Sequence, residues 1–197
     1  MSRVLVVFAH PVRDSFVGSM LDSTLQVLTE SGTEHRLIDL YAEDFSPALT
    51  LDHYRLYEHG TIVPELAHHV DSLRWADALM FVYPTWFGAP PAILKGWFDR
   101  VWLRGVAFDL PSGTGLLKPL LRNIRSVIVV TSHGSGKLLN SVQGEPGKRM
   151  ILRGMRSLCS RRCSTTWIAF YKNDRATEAD RKAFLDRLSS RLRTLLA

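Results

Sequence analysis

"DALMFVYPTWFGAPPAILKGWFDRV", Asp77 to Val101, carries the plan of the fold in one stretch. Asp77 to Tyr83 reads as a strand, apolar without a break from Ala78, the pattern of a strand buried on both faces. Leu94, Trp97, Phe98 and Val101 then recur at helical spacing. Between strand and helix stand Trp86 and Phe87, followed by Gly88 and the pair Pro90-Pro91. A turn leaving a strand favours small polar residues. Two large rings there point to a flat apolar ligand, a partner surface, or a loop folded back onto the core.

The same alternation extends in both directions. "RVLVVFA" (Arg3 to Ala9), "HRLIDL" (His35 to Leu40), "RSVIVVT" (Arg125 to Thr131) and "STTWIAFY" (Ser164 to Tyr171) read as four further strands. Val17, Met20, Leu21, Leu25 and Leu28 mark a helix that Ser31-Gly32 stops. Another is predicted over Glu65 to Trp75, after Pro64 in the first turn. A basic helix follows the fourth strand. The last helix opens at Thr177, with Asp180 as a near-capping box and Phe184, Leu188, Leu192 and Leu195 on its buried side. Tyr41 to Tyr57 reads as a loop. Strands alternating with helices argue for a doubly wound α/β sheet. No repeat or linker divides the chain, so residues 1–197 are expected to form a single domain. Segments 41–61 and 104–124 are excursions from the minimal fold, and loops of that length are often functional.

Hydrophobic residues are 46% and charged residues 22%, which excludes a disordered chain. No apolar run is long enough for a membrane span or a signal-peptide core, so the expected location is cytoplasmic. The two cysteines, Cys159 and Cys163, make neither a disulfide framework nor a zinc pattern, and read as free thiols. The net charge of +6 favours anionic ligands. Arg149, Arg153 and Arg156 share one face if their segment is helical, and Arg161 and Arg162 follow. That face suits solvent, nucleotide phosphates or an anionic membrane surface. Nucleic acid is not expected as a partner, because no recognition motif accompanies the charge.

In open α/β sheets ligands bind beyond the carboxyl ends of the strands. Three loops leave such ends: "AHPVRDSF" (Ala9 to Phe16), "PTWFGAP" (Pro84 to Pro90) and "TSHGSGKLLNSVQGEPG" (Thr131 to Gly147). The first precedes a helix N-terminus, where free amides attract phosphate; Ser15 either caps that helix or meets the phosphate, and His10 and Arg13 add donors. The usual nucleotide fingerprints fail. The first loop has no glycine; "GSGK" (Gly134 to Lys137) lacks the remainder of a P-loop; "GTG" (Gly113 to Gly115) follows no strand. His68-His69 lacks metal-ligand spacing and reads as a surface pair, so no metal site is expected. A phosphate site on loop one, rings on loop two and backbone donors on loop three together suit a flavin.

These motifs, with "QG..G" at Gln143 to Gly147, resemble in order those of the flavodoxin-like NAD(P)H:quinone oxidoreductases, over roughly Arg3 to Tyr171. The resemblance implies a flavodoxin-like doubly wound five-stranded parallel sheet with helices on both faces. It also implies a bound flavin (FAD or FMN, with FAD favoured), NAD(P)H as co-substrate, a quinone-like acceptor, and a homodimer with active sites at the subunit interface. Carried over by position, His10, Ser15 and Phe16 contact the phosphate and ribityl portion. Pro84, Thr85, Trp86 and Phe87 contact the ring, and Thr131, Ser132, His133 and Gly134 approach its pyrimidine edge. Val17 stands where the mammalian enzymes have asparagine near the phosphates, and His133 replaces a glycine. The mammalian tyrosine and histidine beside the ring fall here around Leu138 to Asn140 and at Pro146. His133 is the candidate catalytic residue, as an N–H donor or a positive charge near the reduced ring, unless its side chain merely faces solvent. The aromatic load of Trp97, Phe98 and Trp102 exceeds one buried stripe and adds to the dimer expectation. Two other readings stand beside the enzyme: a regulatory subunit docked through the basic face on a potassium-efflux transporter in the membrane, and a flavin reductase or azoreductase.

Overall fold

In a computed structural model that describes residues 3–110 and 115–196, the five expected strands form one sheet. They are β1 (Arg3–Phe8), β2 (Glu34–Asp39), β3 (Ala78–Pro84), β4 (Ser126–Ser132) and β5 (Ser164–Phe170). All neighbours are parallel, in the order β2-β1-β3-β4-β5. Every residue of β3 and β4 is buried, as unbroken apolar runs require when both faces of a sheet are covered.

The pleat sorts the core into two layers. Val4, Val6, Phe8, Met80 and Val82 face α1 (Phe16–Glu30) and the C-terminal helix Glu178–Leu196. Leu5, Val7, Leu79 and Phe81 face the side that carries Val70 and Leu73 of helix Ala67–Trp75, and Ile93, Leu94 and Trp97 of helix Ala92–Val101. Between them the chain adds Leu51–Glu58, so the helices are α1, α2 (Leu51–Glu58), α3 (Ala67–Trp75), α4 (Ala92–Val101), α5 (Lys137–Val142), α6 (Pro146–Arg149) and α7 (Glu178–Leu196). The expected ends hold: Gly32 takes φ +67 after α1, and Thr177 and Asp180 cap α7 reciprocally, Asp180 accepting from the Thr177 amide at 3.0 Å.

Three expectations need correction. Tyr41 to Tyr57 is not all loop, because Thr50 caps α2 through a bond from the His53 amide at 3.3 Å. The basic stretch is not one helix. After α6 it widens to a π-turn over Met150–Gly154 and tightens to a 3-10 turn over Met155–Leu158. Arg156 is consequently committed to the backbone, donating to Cys163 O at 3.0 Å and Arg161 O at 3.2 Å. Finally, Trp97, Phe98 and Trp102 are buried within the one chain, at 0%, 4% and 5% exposure. The segment after β2 packs on α4 so closely that a Cβ at Gly96 would lie 2.4 Å from Pro47. The buried Arg100 holds that segment, donating to Ser46 O at 2.5 Å and pairing with Glu65. These rings therefore give no warrant for a dimer. Cys159 and Cys163 are buried free thiols. The "GTG" reading falls on residues 113–115, of which 113 and 114 lie outside the described residues.

Candidate functional site

The parallel order places the carboxyl ends of β1, β3 and β4 side by side at the switch between β1 and β3. Backbone bonds carry the register into the loops: Ala9 N donates to Val82 O at 3.0 Å, Thr85 N to Ser132 O at 2.8 Å, and His133 N to Phe170 O at 2.7 Å. The three loops singled out by sequence thus leave one edge of the sheet together.

Loop one opens α1. Ser15 is extended at φ −97 and ψ 168, and its Oγ accepts from Gly18 N at 3.1 Å. The first amides of the helix, at Phe16 and Val17, have no acceptor within it. They are the anion-attracting groups of this end, and no acidic residue stands in the first turn. His10 Nδ1 lies 2.8 Å from Val12 O and 3.0 Å from the Val12 amide, so that side of its ring is tied to the backbone of the loop. Arg13 is not the added donor expected: Asp22 pairs with it, that bond chiefly raising its pKa. Nor do two positions carried over by resemblance offer side chains. Val17 is buried in the core beneath α1, and Phe16 packs edge-on against Phe170 at 4.9 Å. Gly18 went unnoticed in the sequence, although a Cβ there would lie 1.8 Å from Arg13 O.

Loop two is a tight turn. Trp86 and Ala89 exchange both amide bonds at 3.0 Å, and the central residues Phe87 and Gly88 both take positive φ, +50 and +75. That is the pattern of a type I′ turn, which a bulky residue enters only at a cost of about 1–2 kcal/mol. The strained Phe87 is nevertheless 105% exposed and Trp86 is 51% exposed. The rings do not fold back onto the core. Pro84 belongs to β3, opposite Ser132. Gly147 reaches across from the third loop and donates to Gly88 O at 2.8 Å, where a Cβ on Gly147 would meet that oxygen at 2.8 Å. The last glycine of "QG..G" is therefore a close-approach residue that braces loop two.

Loop three begins polar and buried. Thr131, Ser132 and His133 are buried, and Gly134 lies so near Asp174 that a Cβ would stand 2.4 Å from Oδ2. His133 does not face solvent. Its ring is 6% exposed and stacks on Tyr171 at 4.7 Å between centroids. Its Nδ1 lies 2.9 Å from Asn140 Oδ1 and its Nε2 3.5 Å from Thr85 Oγ1. Burial holds its pKa below the ordinary imidazole value, against the Asn140 bond, which raises it. A lowered pKa favours the neutral ring at rest, so of the two expected roles the N–H donor suits the resting state better than the positive charge. Asn140 lies in the stretch Leu138 to Asn140 that the resemblance places beside the ring, but nothing in the sequence marks it as a partner of His133; it is buried while Leu139 and Ser141 are exposed. Around this mouth stand Leu138, Leu139 and Val142 of α5, exposed at 80%, 50% and 77%.

The second cluster of titratable groups lies elsewhere. His69 is buried, contrary to the surface-pair reading, and Glu43 joins His68 and His69 with ligand atoms within 4.8 Å of one another. Trp97 Nε1 donates to His69 Nδ1 at 3.3 Å. Since indole only donates, the His69 proton sits on Nε2, the nitrogen that faces Glu43 at 3.7 Å. Glu43 is hydrogen-bonded to His68 Nε2 at 2.9 Å, and His69 turns its N–H toward the same carboxylate.

Comparison with known proteins agrees with this geometry. A family model described as a flavodoxin-like fold matches residues 2–194. The human ribosyldihydronicotinamide dehydrogenase (quinone) is 27% identical over 216 aligned positions, covering 98% of this chain and 91% of its own. The NAD(P)H dehydrogenase (quinone) 1 of Rattus norvegicus is 31% identical over 76% of this chain and 60% of its own. The NAD(P)H:quinone oxidoreductase from Methanothermobacter marburgensis superposes with a TM-score of 0.85 at 28% identity, over 98% of both chains. An FMN-dependent NADH-azoreductase from Bacillus anthracis, solved with FMN, shares the fold at TM-score 0.75 and 15% identity, over 100% of both chains. With its matched length, its strand order and its three-loop edge, the chain belongs to the flavodoxin-like family.

Proposed function

We propose that this chain is a flavin-dependent NAD(P)H:quinone oxidoreductase. The observation that carries the reading is the turn Trp86–Ala89, where a ring held at positive φ stands wholly in the open. Unrelieved strain combined with exposure is the mark of a surface shaped for a ligand. The residues present fit a flavin: uncompensated amides at the start of α1 for phosphate, indole and phenyl faces for a flat ring, and a buried polar edge on β4. The quinone oxidoreductases among its relatives support the same reading.

A bound flavin supplies two-electron transfer from the nicotinamide to the acceptor. The chain supplies the rest. Loop one anchors the phosphate. Trp86 and Phe87 exclude water from one side of the site. The loop after β4, fixed by the His133 amide on Phe170 O, would bring the amides of Gly134 and Ser135 toward the place where negative charge develops. FAD is the favoured form: a cleft of about 250 Å³ beyond β5 is lined by Lys172, Arg175 and Arg187 beside Asp180, a net cationic lining that would attract a second phosphate. The homodimer is retained on the resemblance to the quinone oxidoreductases, not on the rings of α4, which are buried within the one chain. The transporter-subunit reading loses ground, because Arg156 of its docking face is spent on backbone carbonyls. A flavin reductase or azoreductase uses the same cofactor site and differs only in acceptor. No helix among the described residues is long and apolar enough to cross a membrane, in keeping with action in the cytoplasm.

Anaerobic mixing of the purified protein with NADPH or NADH and a small benzoquinone tests the reading. One hydroquinone is expected per nicotinamide oxidised. Oxidation of nicotinamide that leaves the quinone untouched overturns it in favour of the flavin reductase.

A further inference from the structure

We propose that Asn140, His133 and Thr85 form a proton relay at the edge of this site, in which His133 Nε2 takes up a proton as the site gains negative charge and delivers it to the acceptor. The inference rests on the flavin-dependent reading above and names the residues that manage its proton.

The hydrogen-bond pattern fixes the direction. Asn140 is 4% exposed, and its Nδ2 donates to Ser135 Oγ and Gly136 O, both at 2.9 Å. With its amide hydrogens placed on these oxygens, Oδ1 is left as an acceptor, and it accepts from His133 Nδ1–H at 2.9 Å. The neutral ring therefore keeps its own proton on Nδ1 and turns a lone pair at Nε2 toward Thr85 Oγ1, 3.5 Å away. Thr85 Oγ1 lies 2.9 Å from Thr131 Oγ1 and belongs to the residue immediately before Trp86. The hydrogen-bond partner of Nε2 among the described residues, Thr85, thus leads to the aromatic turn. Asn140 is a positioning residue: without it the ring is free to place its proton on Nε2 and close the lone pair.

The surroundings set when Nε2 is basic. Tyr171 stacks on the ring, Trp167 lies 6.1 Å from it, Glu145 favours the charged form and Lys148 opposes it. Asp174 packs against the next residue, Gly134. Burial keeps the ring neutral at rest, and a new negative charge alongside draws a proton onto it. The balance closes. NAD(P)H gives up a hydride and becomes NAD(P)+; the quinone gains that hydride and one proton and becomes the hydroquinone. The proton is the one borne by Nε2, taken from solvent through the Thr85 hydroxyl, and the ring returns to its Nδ1–H form.

The test is the midpoint potential of the flavin-bound protein from about pH 6.5 to 8.5, across the upper part of the histidine range. Each proton taken up with the electron pair shifts a two-electron couple tenfold, or about 30 mV, per pH unit. Wild type is expected to fall by about 60 mV per pH unit and His133→Gln by about 30 mV, one proton fewer. Asn140→Asp, which keeps the acceptor and adds charge, is expected to move the steep region to higher pH. A long-range 1H–15N spectrum of histidine-labelled wild type is expected to show His133 as the Nδ1–H tautomer, a property that mere packing does not dictate. Equal slopes in wild type and His133→Gln, an unmoved pH window in Asn140→Asp, or an Nε2–H tautomer would each overturn the relay. Protein that carries no flavin overturns the functional reading and the relay together, and its absorbance distinguishes that failure from the others.

Discussion

Two groups of aromatic rings lie within twenty residues of each other and have opposite fates. Trp97, Phe98 and Trp102 on and after α4 are shut inside the chain, edge-to-face with one another and with Phe81 at centroid distances of 5.1–6.2 Å. Trp86 and Phe87 on the turn before α4 are in the open. Ring content alone does not separate them. The backbone does. The α4 rings sit on a regular helix that Gly96 allows another segment to cover, whereas the turn rings are raised on two positive-φ residues braced from behind by Gly147. The first group stabilises the fold and the second is held ready for a ligand.

The sharpest way to break this contrast is to remove one ring from each group. Trp97→Ala is expected to destabilise the protein by about 3–5 kcal/mol in denaturant unfolding, through the cavity it leaves. Trp86→Ala is expected to change stability by no more than about 0.5 kcal/mol while weakening flavin binding. Comparable losses of stability in both variants would erase the distinction.

The next largest effect concerns what Trp97 holds. Its Nε1–H is donated to His69, whose pKa burial pushes down to about 4, with His68 and Arg100 adding to the shift. A histidine depressed in the folded state costs nothing while it is neutral above its unfolded pKa near 6.5. Stability is therefore expected to be lost as pH falls from about 6.5 toward 4, because the unfolded chain binds the proton first. His69→Gln should flatten unfolding midpoints over that window; a wild-type profile as flat as the variant's would show that His69 ionises freely.

On the open side, Ser15→Ala is expected to weaken flavin binding by about 1–3 kcal/mol if the hydroxyl leaves its cap for the phosphate. Loss of helix stability with unchanged flavin affinity would leave Ser15 as the cap of α1 alone. The smallest effect is a gain. Phe87→Gly relieves the positive φ and is expected to stabilise the chain by about 0.5–1 kcal/mol, with weaker ligand binding. No gain in melting temperature would mean that the turn is not strained.

Much of this is legible in the sequence. Unbroken apolar runs against 3.6-residue spacing located all five strands and the long helices, and strand ends located the three loops. What the sequence hid was packing between distant segments. Nothing near Trp97 announces that residues 45–66 cover it, so rings that looked surplus were read as an interface. Nothing in His68-His69 announces Glu43, twenty-five residues away. His133 was visible as an oddity in a glycine turn, but its state depends on Asn140 across the loop, and a hydrogen-bond direction is not a property of spacing. The basic run misled for a related reason: a helix wheel assumes a regular helix, and the backbone from Met150 to Leu158 widens and tightens instead.

The claim on which the account turns is that the open, strained rings and the free amides of α1 are one flavin site. The direct measurement is the visible spectrum of the purified protein, followed by titration of flavin-stripped protein with FAD and with FMN, watching the flavin absorbance and the tryptophan fluorescence together. The account predicts a yellow protein that releases intact flavin on denaturation and takes it back with quenching that Trp86→Ala diminishes. A colourless protein that takes up neither FAD nor FMN would contradict it.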